Sequence, residues 1–177
     1  MKKIITALFL SVGLVSFGQV TTNPDTVCIN AVGEQYFVTN TPGSSYSWVT
    51  TGTLASGQGT NAITIDWGGT AGLYPNAVSV TETTVSGCPG NPVNLDVYIM
   101  DLVLLGTGTY CITDPTFTLF ANEVGGTFSG NGVVGNDFDP SLAGTGTHVI
   151  TYSLSGCSQT MNIIVDNIPV TGPIQHY

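Results

Sequence analysis

Few side chains in this sequence are of a type that does chemistry, and their spacing limits what that chemistry is. His148 shares a strand face with Ile150 and Tyr152 along THVITY. A catalytic imidazole needs a nucleophile and an orienting acid within hydrogen-bond reach. Nothing near His148 in the sequence points to either, so it is read as a structural residue on an apolar strand face. Asn136, Asp137 and Asp139 form an acidic turn in GNDFDP. Calcium takes several oxygen ligands, which makes Asp137 and Asp139 a weak calcium candidate. Their spacing is not that of a helix–loop–helix calcium loop, and a proline after Asp139 suits an ordinary turn. Trp67 and Tyr74 flank a Gly-Gly turn and are the candidates for exposed aromatics that stack on a sugar ring. Tyr46 and Trp48 alternate with Ser47 and are read as core.

Charge excludes more than it suggests. The 177 residues hold two basic side chains, Lys2 and Lys3, against eleven acids, for a net charge of −9. Nucleic-acid binding relies on Lys and Arg to displace counterions, so that class is excluded. A P-loop, a Schiff-base lysine and lysine-based covalent links between subunits are excluded for the same reason. No cofactor is implied.

Both lysines lie in MKKIITALFLSVGLVSFGQ, where a basic start precedes an apolar run from Ile4 to Val15 and small residues Ser16 and Gly18. This is the layout of a secretory leader over 1–18, cut after Gly18. The run is too short to favour a transmembrane span. The mature chain from Gln19 then has no Lys or Arg, so removing two positive charges takes −9 to −11. No transmembrane segment is expected in it, trypsin has no site, and export is the expected destination: the extracellular space or outer-membrane surface, with the periplasm as the alternative. Four cysteines, Cys28, Cys88, Cys111 and Cys157, suit an oxidising compartment and lack the close pairs of a zinc site.

The elements that carry these residues are strands. Short period-two runs recur between Gly, Pro, Asn and Ser, as in Ser45–Thr50, Ala62–Trp67, Val93–Met100, Thr147–Leu154 and Met161–Asp166. Val93, Leu95, Val97 and Ile99 fall on one face of such a run, the pattern of a strand buried on one side. Helix signals are almost absent after the leader. The chain also repeats loosely: each half starts near a cysteine and ends in a strand, a Ser-Gly-Cys turn and a last strand. The expectation is all-β, with two tandem β-sandwich domains over 19–100 and 101–166 joined without a flexible spacer, followed by a tail over 167–177. Four cysteines allow three pairings, and the two-domain reading favours Cys28–Cys88 with Cys111–Cys157, each worth roughly 4 kcal/mol in the chain-entropy picture. The tail DNIPVTGPIQHY carries Ile168, Val170 and Ile174 around two prolines. It is either a frayed end or an extended docking peptide for a partner or another copy.

SYSWVTTGTLASGQGTNAITIDW (45–67) with AVSVTETTVSGC (77–88) resembles the PKD-like, immunoglobulin-like repeats of secreted and cell-surface proteins of Bacteroidetes, which are adhesin-like or associated with gliding and type IX export. GGTFSGNGVVGNDFDPSLAGTGTHVITYSLSGC (125–157) resembles another immunoglobulin-like repeat of the same proteins. The resemblance implies extracellular β-sandwiches that serve as spacers or adhesive units and share no catalytic residues. The expected function is therefore a non-enzymatic structural or adhesive protein. It would engage another surface protein, or assemble with itself, through its tail or sheet edges. A carbohydrate-binding module using Trp67 and Tyr74 is the alternative.

Overall fold

The computed structural model of the chain describes Lys3–Ile4 and residues 24–176. The leader expected over 1–18 lies, but for Lys3–Ile4, outside the described residues. The chain is all-β and divides into two compact units, Met1–Asp101 and Leu102–Tyr177.

The first unit is a sandwich. One sheet has the order β1 (Lys3–Ile4), β3 (Glu34–Phe37), β6 (Ala62–Asp66), β5 (Thr53–Ser56). The other runs β2 (Asp25–Cys28), β8 (Val93–Met100), β7 (Gly72–Thr83), β4 (Ser45–Thr50). β4, β6 and β8 alternate buried with more exposed positions, and the inward set fuses into one core. Tyr36, Ile63 and Ile65 come from the first sheet; Val27, Tyr46, Trp48, Val78, Val80, Leu95, Val97 and Ile99 come from the second. The alternation in Val93–Met100 thus lands as its pattern requires. β7 starts five residues before the run beginning at Ala77, because a register shift between Tyr74 and Val78 absorbs Pro75 and a left-handed Asn76.

Two side chains lock this unit. Tyr46 is buried, and its hydroxyl accepts from the Thr41 N–H at 2.7 Å and donates to the Thr39 carbonyl at 3.3 Å, closing the loop that leads into β4. The Gly-Gln-Gly-Thr turn closes the free side of β4. Gln58 accepts from the Trp48 N–H at 2.9 Å and returns its amide N–H to the Trp48 carbonyl at 2.9 Å, as a neighbouring strand would. The glycine before it is required, since a Cβ on Gly57 would sit 2.1 Å from the Ala62 carbonyl oxygen.

The second unit carries the sheet β10 (Gly108–Cys111), β17 (Cys157–Asp166), β16 (Gly146–Leu154), β13 (Thr127–Ser129). Two smaller sheets accompany it: β11 (Phe117–Thr118), β15 (Asp137–Phe138), β14 (Val133–Val134), and β12 (Phe120–Ala121) with β9 (Leu104–Leu105). Leu119, Phe138, Ile150, Met161, Ile163 and Val165 form its core. A clamp like that of Tyr46 recurs here: the Tyr152 hydroxyl accepts from the Gly126 N–H at 2.8 Å and donates to the Glu123 carbonyl at 2.7 Å. The ring lies so close that a Cβ on Gly126 would meet it at 2.5 Å. Asp139-Pro140 does not make the ordinary turn expected of it. Pro140–Ala143 is one turn of helix, α1, with Asp139 as its N-cap and Pro at the first helical position, where its missing N–H costs nothing.

Both tyrosine clamps tie a loop to the core through a single hydroxyl. Tyr46→Phe and Tyr152→Phe each leave a loop N–H and a carbonyl without that partner, so each is expected to destabilise its unit by ~1–3 kcal/mol. Denaturant titration followed by far-UV dichroism checks this. A loss near zero in both variants would remove the clamps from the account.

Candidate functional site

The groups that suggested chemistry are occupied by structural work. His148 is half-buried; its Nε2 lies 2.8 Å from the Gly144 carbonyl and its ring stands 6.1 Å from that of Phe138. Asp139 caps α1, accepting from the Ser141 N–H at 2.9 Å and the Ser141 hydroxyl at 2.6 Å. Hydrogen bonding from the Ser141 side chain, aided by the backbone N–H groups of Ser141 and Leu142, holds the Asp139 carboxyl below the ordinary range. Asp137 accepts from the Thr118 hydroxyl at 2.7 Å across the β11–β15 pair. Both carboxylates of the calcium candidate are thus engaged locally, and no cluster of three or more His, Cys, Asp or Glu side chains placed to hold a metal occurs among the described residues.

The sugar platform is corrected outright. Trp67 is 4% exposed and packs edge-on against Tyr36, with ring centroids 6.2 Å apart. Its indole N–H is buried beside the Tyr36 hydroxyl without a well-formed hydrogen bond. Tyr74 is half-buried against the same core and donates its hydroxyl to the Thr70 carbonyl at 3.1 Å. Trp67 faces inward because it continues the alternation of β6, in which Ile63 and Ile65 are buried. Tyr36 in turn donates to Asp25 at 3.0 Å. Burial, reinforced by the Asp25 carboxylate, holds its phenol well above the ordinary range.

What remains for recognition is backbone at sheet edges and an apolar tail. An unpaired edge is a template for another strand, and native sheets close theirs. β4 is sealed by Gln58, and β5 is broken by a register shift between Leu54 and Ser56. β3 is closed by a segment: Lys3 and Ile4 pair with it in parallel, opposite Tyr36 and Phe37. Beside that edge lies a shallow depression of about 370 Å³, lined by uncharged residues that include Gln35, Phe37, Ala62 and Thr64. A second cleft of about 210 Å³ opens at one end of the sandwich over Val38, Tyr46, Val80 and Val93, with Glu82 at its rim. The tail residues Ile168, Val170 and Ile174 are 55%, 97% and 100% exposed and belong to no strand. Sequence reasoning marked the tail but not the roles of Gln58 or Lys3–Ile4. The Gly-Gln-Gly-Thr turn was visible, but its amide becomes a strand surrogate only once β4 is known to be an edge.

The cysteines pair differently from expectation. Cys28 and Cys157 are disulfide-bonded, whereas Cys88 and Cys111 are exposed free thiols. Strand length forbids the expected pairs. Cys28 stands opposite Met100, the last residue of β8, while Cys88 lies in the turn before that strand begins. An eight-residue strand separates ends by roughly 23 Å, far beyond the ~7 Å limit for a disulfide. Cys111 likewise faces Asp166, the last residue of a ten-residue strand that Cys157 begins. Alkylation of the unreduced, denatured chain is therefore expected to label two thiols. After cleavage at Glu34, Glu82 and Glu123, both labels fall in the 83–123 peptide and none in the peptides holding Cys28 or Cys157. Label on Cys28 or Cys157 would contradict this assignment.

The PKD-like domain family matches residues 15–97, which covers most of the first unit and stops within β8. No curated protein matches the chain. Fibronectin(III)-like modules of CbhA from Clostridium thermocellum align with 87% of this chain and 95% of theirs, at 14% identity and a TM-score of 0.34, a likeness too loose to bear on the argument. The first unit is thus similar to PKD-like domains, and the described chain is all-β with sandwich-like sheets.

Proposed function

We propose that this is a non-enzymatic protein of the cell exterior, a structural or adhesive unit that binds another surface protein or another copy of itself through its tail or sheet edges. The observation that carries the reading is the tail: Ile168, Val170 and Ile174 stand in water on an acidic chain, and Val170 and Ile174 are the most exposed large apolar side chains among the described residues. Ile168, Val170 and Ile174 recur with the period of a strand. Supporting it, His148, Asp137 and Asp139 are each engaged in local hydrogen bonds, and PKD-like domains are typically non-catalytic modules. The disulfide and the leader-like start support an exported location.

Light scattering after size exclusion tests this on the chain from Gln19 to Tyr177 beside the same chain ending at Asp166. The expected result is a defined oligomer, or capture of a surface protein, that depends on the tail. Identical behaviour of the two chains, alone and with a surface extract, would overturn the tail's part in it.

A further inference from the structure

We infer that the open acceptor of this assembly is the β3 edge, vacated when the N-terminal segment leaves, and that its occupant is the 167–177 tail of a second copy, added as a parallel strand. This rests on the proposed function and names the two surfaces that would meet.

The acceptor can be read from the register. The Val38 N–H donates to the Asn61 carbonyl at 2.9 Å, and Tyr36 stands opposite Ile63 in the same antiparallel ladder. Bonding groups alternate sides along a strand, so the even-numbered residues turn theirs to β6, and Gln35 and Phe37 turn theirs to the outer edge. That is where Lys3 and Ile4 pair. If residues 1–18 are removed as a leader, the N–H and C=O groups of Gln35 and Phe37 lose that neighbour. A strand added there places each residue that bonds to Gln35 and Phe37 opposite Tyr36, and thus on the core-facing side, where Tyr36 is fully buried.

The tail fits this edge in one phase only. Pro169 and Pro173 have no N–H and are four residues apart, so both fall on the same side of an extended strand. If residues 169, 171 and 173 faced β3, two of three donors would be missing. If residues 168, 170, 172 and 174 face it, every required N–H is present. In that phase Ile168, Val170 and Ile174 also turn toward the core, and Gly172 is the one gap. The prolines then lie along the new outer edge, where they block addition of a further strand. Hydrogen-bonding phase and apolar phase therefore coincide. Residues 167–177 also contain no acid, so the insertion adds no like charge beside Glu34.

The test uses a fluorescent synthetic peptide of residues 167–177 with the chain from Gln19 and with the chain from Met1, each ending at Asp166 so that no tail of its own competes for the edge. The expected result is saturable binding to the chain from Gln19 and binding at least about tenfold weaker to the chain from Met1, whose edge is filled; tenfold corresponds to about 1.4 kcal/mol. N-methylation of the peptide at Val170 should abolish binding, because that N–H faces β3, while N-methylation at Thr171 should leave it within about twofold. Neither change alters charge. Equal binding to the two chains, or equal effects of the two N-methyl groups, would overturn the inference. If the peptide fails to bind while tail-dependent assembly persists, the acceptor is wrong and the proposed function stands. If tail-dependent assembly is also absent, both fall.

Discussion

The constraint on which this structure depends is the satisfaction of backbone hydrogen bonds at strand edges. Beyond its first residues the chain has no Lys or Arg, the side chains that most often blunt an exposed edge. Three edges of the first unit are closed by other means. A glutamine amide mimics a strand on β4, a register shift breaks β5, and residues near the start of the chain cover β3. The last of these is unlike the others, because it is made from a segment that reads as a removable leader.

The same shortage shapes the interior. With Lys and Arg confined to positions 2 and 3, loops are tied instead by the two tyrosine hydroxyls and the Asp139 cap, through neutral or singly charged hydrogen bonds. Such bonds hold their geometry across salt concentrations that would screen surface ion pairs. Cohesion within each unit comes from apolar side chains of facing sheets, with large aromatics, Trp48 and Tyr36 among them, at the centre of the first. An acidic exterior keeps copies apart in general, so contact between them must come through a specific complementary element.

Much of this was legible in the sequence, and the failures have physical causes. The alternation of Val93–Met100 and Thr147–Leu154 placed those strands and their buried faces, because a one-sided strand records its environment every second residue. Trp67 misled because the glycines after it suggest exposure, whereas the alternation of Ile63 and Ile65 carries it into the core. The cysteine pairs misled because the repeat puts Cys28 and Cys88 in one half and Cys111 and Cys157 in the other, while the register sets each pair at opposite ends of a strand. Asp139-Pro140 shows both a turn and a helix start, and only the hydrogen bonds to Ser141 and Leu142 decide between them. The tail was visible as apolar, but the meaning of its proline spacing appears only once an edge with a known bonding phase stands beside it.

The central claim is that the β3 edge is a strand acceptor, and amide hydrogen exchange at single residues tests it most directly. Gln35 and Phe37 point their N–H groups to the outer edge, while Tyr36 and Val38 point theirs into the sheet. The account predicts that Phe37, whose N–H faces the Lys3 carbonyl, exchanges slowly in the chain from Met1. Gln35 and Phe37 should both exchange fast in the chain from Gln19 when the tail is absent, and slowly when the 167–177 peptide is added, with Tyr36 and Val38 protected throughout. Gln35 and Phe37 amides whose exchange ignores both the N-terminal segment and the peptide would contradict it.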